Sequence, residues 1–135
     1  MLPTLPVWTD ELSVGNALVD LQHQKLITLC NKAYVCLDDG SPEATRKFHA
    51  LLNDLATLAT EHFRTEEVLL EQNNYPSLAA HMAEHDGHIE SITNLLYAAT
   101  KGLVDIAGAA KASSEWLISH VLNTDLSCKA YFKAI

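Results

Sequence analysis

Between His62 and His85 the chain reads H-F-R-T-E-E and later H-M-A-E-H. His62 and Glu66 are four residues apart, and so are His81 and His85. On an α-helix such pairs sit one turn above each other on one face. Each pair can therefore aim two donor atoms at a single point. His23 near the N-terminus, and His120 followed by Asp125 near the C-terminus, add two further donor segments. Four separated stretches thus carry metal-binding side chains, and the fold has to decide whether they converge.

The hydrophobic pattern supplies helices for all four. Residues 1–15 hold Pro3, Pro6 and Gly15, which fit an extended arm and a turn, with Trp8 and Leu12 able to dock that arm on the body. From Ala17, the residues Val19, His23, Leu26, Cys30, Ala33 and Leu37 recur at steps of three and four, placing His23 on an apolar stripe. Asp38-Asp39-Gly40 ends this helix. Ser41-Pro42-Glu43 starts the next with a cap, a first-turn proline and a first-turn acid. Its buried face runs from Phe48 through Leu55, His62 and Glu66 to Leu70, and it stops near Asn73-Asn74. A third helix follows from about Ser77 to Thr100, with His81, His85, His88, Ile92 and Leu95 on its stripe. A fourth runs from about Leu103 to Leu122, carrying Trp116, Leu117 and His120 and weakened by Gly108. Asn123-Thr124 reads as its end, and residues 126–135 read as a short tail.

Four helices of similar length with short connections predict an all-α, antiparallel up-down-up-down four-helix bundle with an extended N-terminal arm. At 135 residues, one domain spanning 1–135 is expected. His23 lies in the first half of helix one, His62 in the second half of helix two, His81 in the first half of helix three and His120 at the end of helix four. In an antiparallel bundle those four levels fall near one end.

Composition narrows the function. Net charge is −8, with nine Lys/Arg scattered and unclustered, which argues against nucleic acid or an anionic membrane as partner. No apolar run approaches the roughly 18–20 residues of a membrane span. The opening MLPTLPVWTD has neither a basic nor an apolar leader segment, so no secretory signal is expected. Cys30, Cys36 and Cys128 are odd in number and form no CxxC pair, which suits small, buried, reduced thiols in a cytoplasm. Five histidines and two carboxylates exceed the four ligands of a tetrahedral zinc. They fit two six-coordinate metals with two bridges and one open position, for which di-iron is the natural reading. His120 and Asp125 are five apart, so the helix must end or bulge between them for Asp125 to turn back.

With these residues in place the chain resembles the hemerythrin family, specifically single-domain bacteriohemerythrins. The resemblance rests on W-T-D-E-L-S-V-G-N-A-L-V-D-L-Q-H from Trp8 to His23 and H-F-x-x-E-E from His62. It continues through Tyr75-Pro76, His81/His85 and W-L-x-x-H-x-x-x-x-D from Trp116 to Asp125, covering nearly the whole chain. It implies one iron on His81, His85 and His120, and an open iron on His23 and His62. Glu66 and Asp125 would bridge the two, together with an oxo or hydroxo group. O2 would bind end-on at the open iron, in a pocket lined by Leu26, Phe63, Trp116, Leu117 and Val121. The implied function is reversible O2 binding for transport, storage or sensing, not enzymatic turnover, with the protein partner open. The alternatives on the same bundle are a di-iron oxidase or peroxidase and a nitric-oxide or iron-stress protein. Ferritin-like oxidases use carboxylate-rich sites, whereas imidazoles outnumber carboxylates here.

Several neighbours have two readings. Asp20 is three before His23 and is either an acceptor for a ligand histidine or a first-turn acid. Glu67 points away from Glu66 and reads as solvated, and His49 reads as a surface residue. His88 stands where the family commonly has Phe. It is either a core histidine bonded to a nearby carbonyl or carboxylate, or a polar group that tunes the di-iron pocket. Cys128, three after Asp125, and Leu126 depart from the usual aromatic and Lys, which bears on tail packing.

Overall fold

The computed structural model describes residues 7–36, 41–101, 111, 115–116 and 118–133, without the side chains of 34–36, 44–45, 99–101 and 121–122. The protein is an all-α four-helix bundle, and no strand occurs among the described residues. A short 3₁₀ turn at Asp10–Leu12 sits in the arm, followed by α1 (Ala17–Cys36), α2 (Pro42–Gln72) and α3 (Leu78–Lys101). The fourth helix is described at 111, 115–116 and 118–127. Most of the predicted stretch from Leu103, Gly108 included, lies outside the described residues.

Each helix begins and ends for local reasons. Gly15 takes φ +80, a left-handed value that suits glycine, and turns the arm into α1. Asn16 caps α1 by accepting from the N–H groups of Leu18 (3.0 Å) and Val19 (3.1 Å). Its amide also donates to the Phe132 carbonyl at 2.9 Å, tying the start of α1 to the C-terminal tail. At the end of α2, Asn74 adopts φ 58. Tyr75 N–H reaches the Leu70 carbonyl and Asn74 N–H the Glu71 carbonyl, a paired closure of the last turn.

The expected helix end at Asn123-Thr124 is corrected. Residues His120–Asp125 form a π-helical turn, and the helix continues through residue 127. One extra residue is absorbed without ending the helix, which is the bulge that lets Asp125 share a side with His120. A 3₁₀ turn at Lys129–Tyr131 then leads to Phe132, which is fully buried.

The interior is layered. One apolar cluster holds Leu26, Cys30, Leu55, Ala59, Phe63 and Ile92. Another, toward the tail, holds Val14, Val19, Leu70, Cys128 and Phe132. On α1, His23 falls between Val19 and Leu26; on α2, His62 and Glu66 fall between Ala59 and Leu70. The polar side chains therefore form a slab between two apolar layers. Trp8 packs with Leu12, Ile27 and Ile118, so the arm is docked as expected. No helix among the described residues is long and apolar enough to cross a membrane.

Candidate metal centre

All seven expected ligand residues meet in this slab, and each is buried. They form two groups. His23 and His62 share one with Glu66 and Asp125; His81, His85 and His120 share the other with the same two carboxylates. Within each group the donor atoms lie within 4.8 Å of one another.

The carboxylates divide their oxygens between the groups. Glu66 Oε2 is 3.1 Å from His23 Nε2 and 3.0 Å from His62 Nε2. Its Oε1 is 3.1 Å from His85 Nε2 and 3.4 Å from His81 Nε2. Asp125 Oδ2 is 3.0 Å from His23 Nε2, while Oδ1 is 3.1 Å from His120 Nε2. Every histidine thus faces inward with Nε2.

The outer nitrogens explain that orientation. His62 Nδ1–H donates to Gln22 Oε1 at 2.8 Å, and the Gln22 amide donates to Thr65 Oγ1 at 3.2 Å. His85 Nδ1–H donates to Glu67 at 2.9 Å. His120 Nδ1 lies 3.3 Å from the Glu84 carboxylate without a hydrogen bond among the described residues. Such outer partners set the tautomer and free the inner lone pair. Gln22 and Glu84 were not anticipated, and Glu67, read as solvated, is an orienting partner instead. The signal was available: each sits one residue from a ligand on its own helix. Of the two readings of Asp20, the first-turn acid is the one seen. Its carboxylate accepts from Ser13 Oγ (2.6 Å) and Val14 N–H (2.9 Å), holding the arm and not a histidine.

Electrostatics follow from burial and proximity. Burial opposes charge on His23 and on His120, but Asp125 and Glu66 outweigh it and raise both to about 9. Against the same burial, Asp125, Cys128 and Glu66 push His81 up to about 12. Burial lowers His62 below its ordinary value, with Glu66 opposing. Glu66 is held well below the usual carboxylate range, since the histidines, His62 foremost, overcome the cost of burial. Asp125 is lowered too: burial and Glu66 oppose its charge, and His120, His23 and His81 prevail.

A cation fits this arrangement better than protons do. With its proton on Nδ1 and its pKa lowered, His62 presents a lone pair on Nε2 to the Glu66 carboxylate, and two acceptors then face each other at 3.0 Å. His62 Nε2 and both Asp125 oxygens make no hydrogen bond despite being buried. Buried polar atoms left this way are costly, and metal ions resolve such clusters. Imidazole and carboxylate donors together suit iron.

Of the expected pocket residues, Leu26, Phe63 and Trp116 share one apolar cluster. Phe63 stacks on His85 with ring centroids 4.0 Å apart. Leu117 and the side chain of Val121 lie outside the described residues. His88 does not carry the expected bond to a carbonyl or carboxylate: neither ring nitrogen has a partner among the described residues. Cys128 is buried against the tail and donates to the Thr124 carbonyl at 3.3 Å.

Fold and site together define a helical bundle with a buried, histidine-rich cluster that could hold metal ions. Comparison with known proteins agrees. A family model described as "Hemerythrin HHE cation binding domain" matches residues 14–129, and the chain belongs to the hemerythrin family. It is 28% identical over 131 residues to a bacteriohemerythrin of Stenotrophomonas maltophilia, covering 96% of this chain and 83% of that one. It is 26% identical over 132 residues to a hemerythrin-like protein of Naegleria gruberi, covering 96% and 98%. The crystal structure of a wild-type hemerythrin superposes with a TM-score of 0.85 at 22% identity, over 97% of this chain and 100% of that one, a likeness of fold.

Proposed function

We propose that this protein binds O2 reversibly at a di-iron centre held by His23, His62, Glu66, His81, His85, His120 and Asp125. The observation that supports it most directly is the division of Glu66 and Asp125, each offering one oxygen to either histidine group. That division suits a pair of ions bridged by both carboxylates.

When bound, two irons supply the two electrons and the open coordination position that reversible O2 binding needs. The protein's side chains do the rest. His81, His85 and His120 give one position three imidazoles, whereas His23 and His62 give the other two. The open place therefore belongs on the His23/His62 side. Leu26 and Phe63 are buried apolar residues beside the cluster, Phe63 touching both His62 and His85, and they exclude bulk water. Gln22 fixes the His62 ring without adding charge, Glu67 fixes His85 with negative charge, and Glu84 places negative charge beside His120. The imidazole-rich donor set favours binding over oxidation of a substrate, because neutral ligands stabilise high-valent iron less than carboxylates do.

An optical spectrum of the iron-loaded protein, reduced without air and then exposed to it, tests this reading. A visible band that appears with O2 and disappears when O2 is removed is expected. A one-way change to the oxidised form would replace the reading with a di-iron oxidase.

A further inference from the structure

His88 is a buried polar group that the proposed centre leaves unused. It lies on α3 three residues after His85 and four before Ile92, where the histidine slab gives way to the apolar layer. It is only 2% exposed. Trp116 stacks on the imidazole with centroids 4.2 Å apart and an interplanar angle of 10°. Phe63 approaches edge-on at 5.8 Å and 74°. Neither Nδ1 nor Nε2 has a hydrogen-bond partner among the described residues. Burial, reinforced by His120 and His85, pushes its pKa down to about 3, so the ring is neutral. A neutral imidazole carries one N–H donor and one lone pair, both in the ring plane.

Native interiors pair almost all such atoms, and an exception signals an ordered water or a small ligand. Empty apolar cavities stay dry, but a site with a donor and an acceptor retains water. Phe63 and Trp116 take up ring contacts around His88 and leave the hydrogen-bonding nitrogens unserved. The same two aromatic side chains also contact His85 and His120, so a guest at His88 is a close neighbour of the proposed centre.

We propose that His88 anchors a guest in the bundle interior, a single water molecule that a small hydrogen-bonding anion such as azide can replace. The water arm stands on His88 alone, whereas the anion arm rests on the di-iron reading above.

The test uses the iron-loaded wild type with His88→Phe and His88→Gln variants, the second retaining a donor and an acceptor. In a crystal structure of the wild type, a non-protein oxygen within hydrogen-bond distance of a His88 ring nitrogen is expected. Ring nitrogens surrounded only by carbon would overturn the proposal. In optical titrations of the oxidised proteins, azide affinity should fall about tenfold in His88→Phe, the effect of one lost hydrogen bond to a charged group. His88→Gln should keep it within about threefold. Equal affinity in the wild type and His88→Phe, at equal iron content, would overturn the anion arm. A wild type that holds no iron would instead sink the proposed function and leave the crystallographic arm to decide on His88.

Discussion

The two halves of the centre are built from the same residue types yet are held differently. Around His81, His85 and His120 the outer neighbours are anionic or thiol: Glu67 hydrogen-bonded to His85, Cys128 beside His81, and Glu84 3.3 Å from a His120 Nδ1 that makes no hydrogen bond among the described residues. Around His23 and His62 the one outer partner is the neutral Gln22, and His23 Nδ1 has none among the described residues. Rings polarised by carboxylates are stronger donors. The three-histidine half has negative charge behind its ligands, while the two-histidine half has a neutral amide. The difference teaches that asymmetry in such a site is set as much by what stands behind the ligands as by their number.

The harshest way to break the comparison is to remove what both halves share. Glu66→Ala should lower iron from about two ions per chain to below about one, measured by metal analysis after gel filtration. The metal-free variant should also lose roughly 3–5 kcal/mol in denaturant unfolding, because buried histidine charge is left unpaired. A variant still holding both ions would show that Glu66 is no bridge.

Next in size is separation of the halves. His62→Ala should strip only the weaker half and leave about one tightly held iron per chain, whereas His85→Ala should weaken the stronger half. Equal losses of iron in the two variants would erase the asymmetry.

Acid and base sharpen the comparison further. Against burial, the neighbouring carboxylates raise His23 and His120 to about 9 and His81 to about 12. A raised pKa in the folded state stabilises the metal-free fold fully below about 6.5. That contribution is lost as pH rises through about 9. Metal loading has the opposite dependence, because the imidazoles must give up their protons. Loading near pH 7 should release at least about two protons per chain, and metal affinity should climb toward pH 9. A pH-stat titration showing no proton release would contradict the protonated cluster.

The smallest effects belong to the outer contacts. Glu67→Gln should weaken metal binding about tenfold in competition with a chelator, and Gln22→Leu should do so by a similar or smaller factor. Of the two, Glu67→Gln should give the larger shift in midpoint potential, since it removes charge. Equal shifts would mean that charge behind the ligands is not what separates the halves.

Much of this was legible before any coordinates. The ligand residues stood out because a histidine or carboxylate on an apolar stripe is conspicuous, and because antiparallel helices bring His23, His62, His81 and His120 to one level. Gln22, Glu67 and Glu84 were passed over although each adjoins a ligand position, since polar residues beside the stripe look like ordinary solvated surface. Helical spacing left Asp20 with two readings, and the contacts that decide between them come from the arm's Ser13 and Val14. The end of the fourth helix was misplaced because Asn and Thr favour helix ends by local propensity, and the π-helical turn is dictated by tertiary contacts.

That turn has one more consequence. An α-helix advances about 100° per residue, so one residue inserted within a turn acts as a phase correction on everything downstream. Val121, Leu122, Asn123 and Thr124 are the interval over which the correction is made. Excising any one of them would leave six of the seven ligand positions untouched and swing Asp125 about 100° out of phase. Cys128 and Phe132, which close the tail against α1 and α2, would be dephased with it. The centre is thus sensitive to the length of this interval and not only to its letters. A single-residue deletion here would act as a ligand mutation and a packing mutation at once.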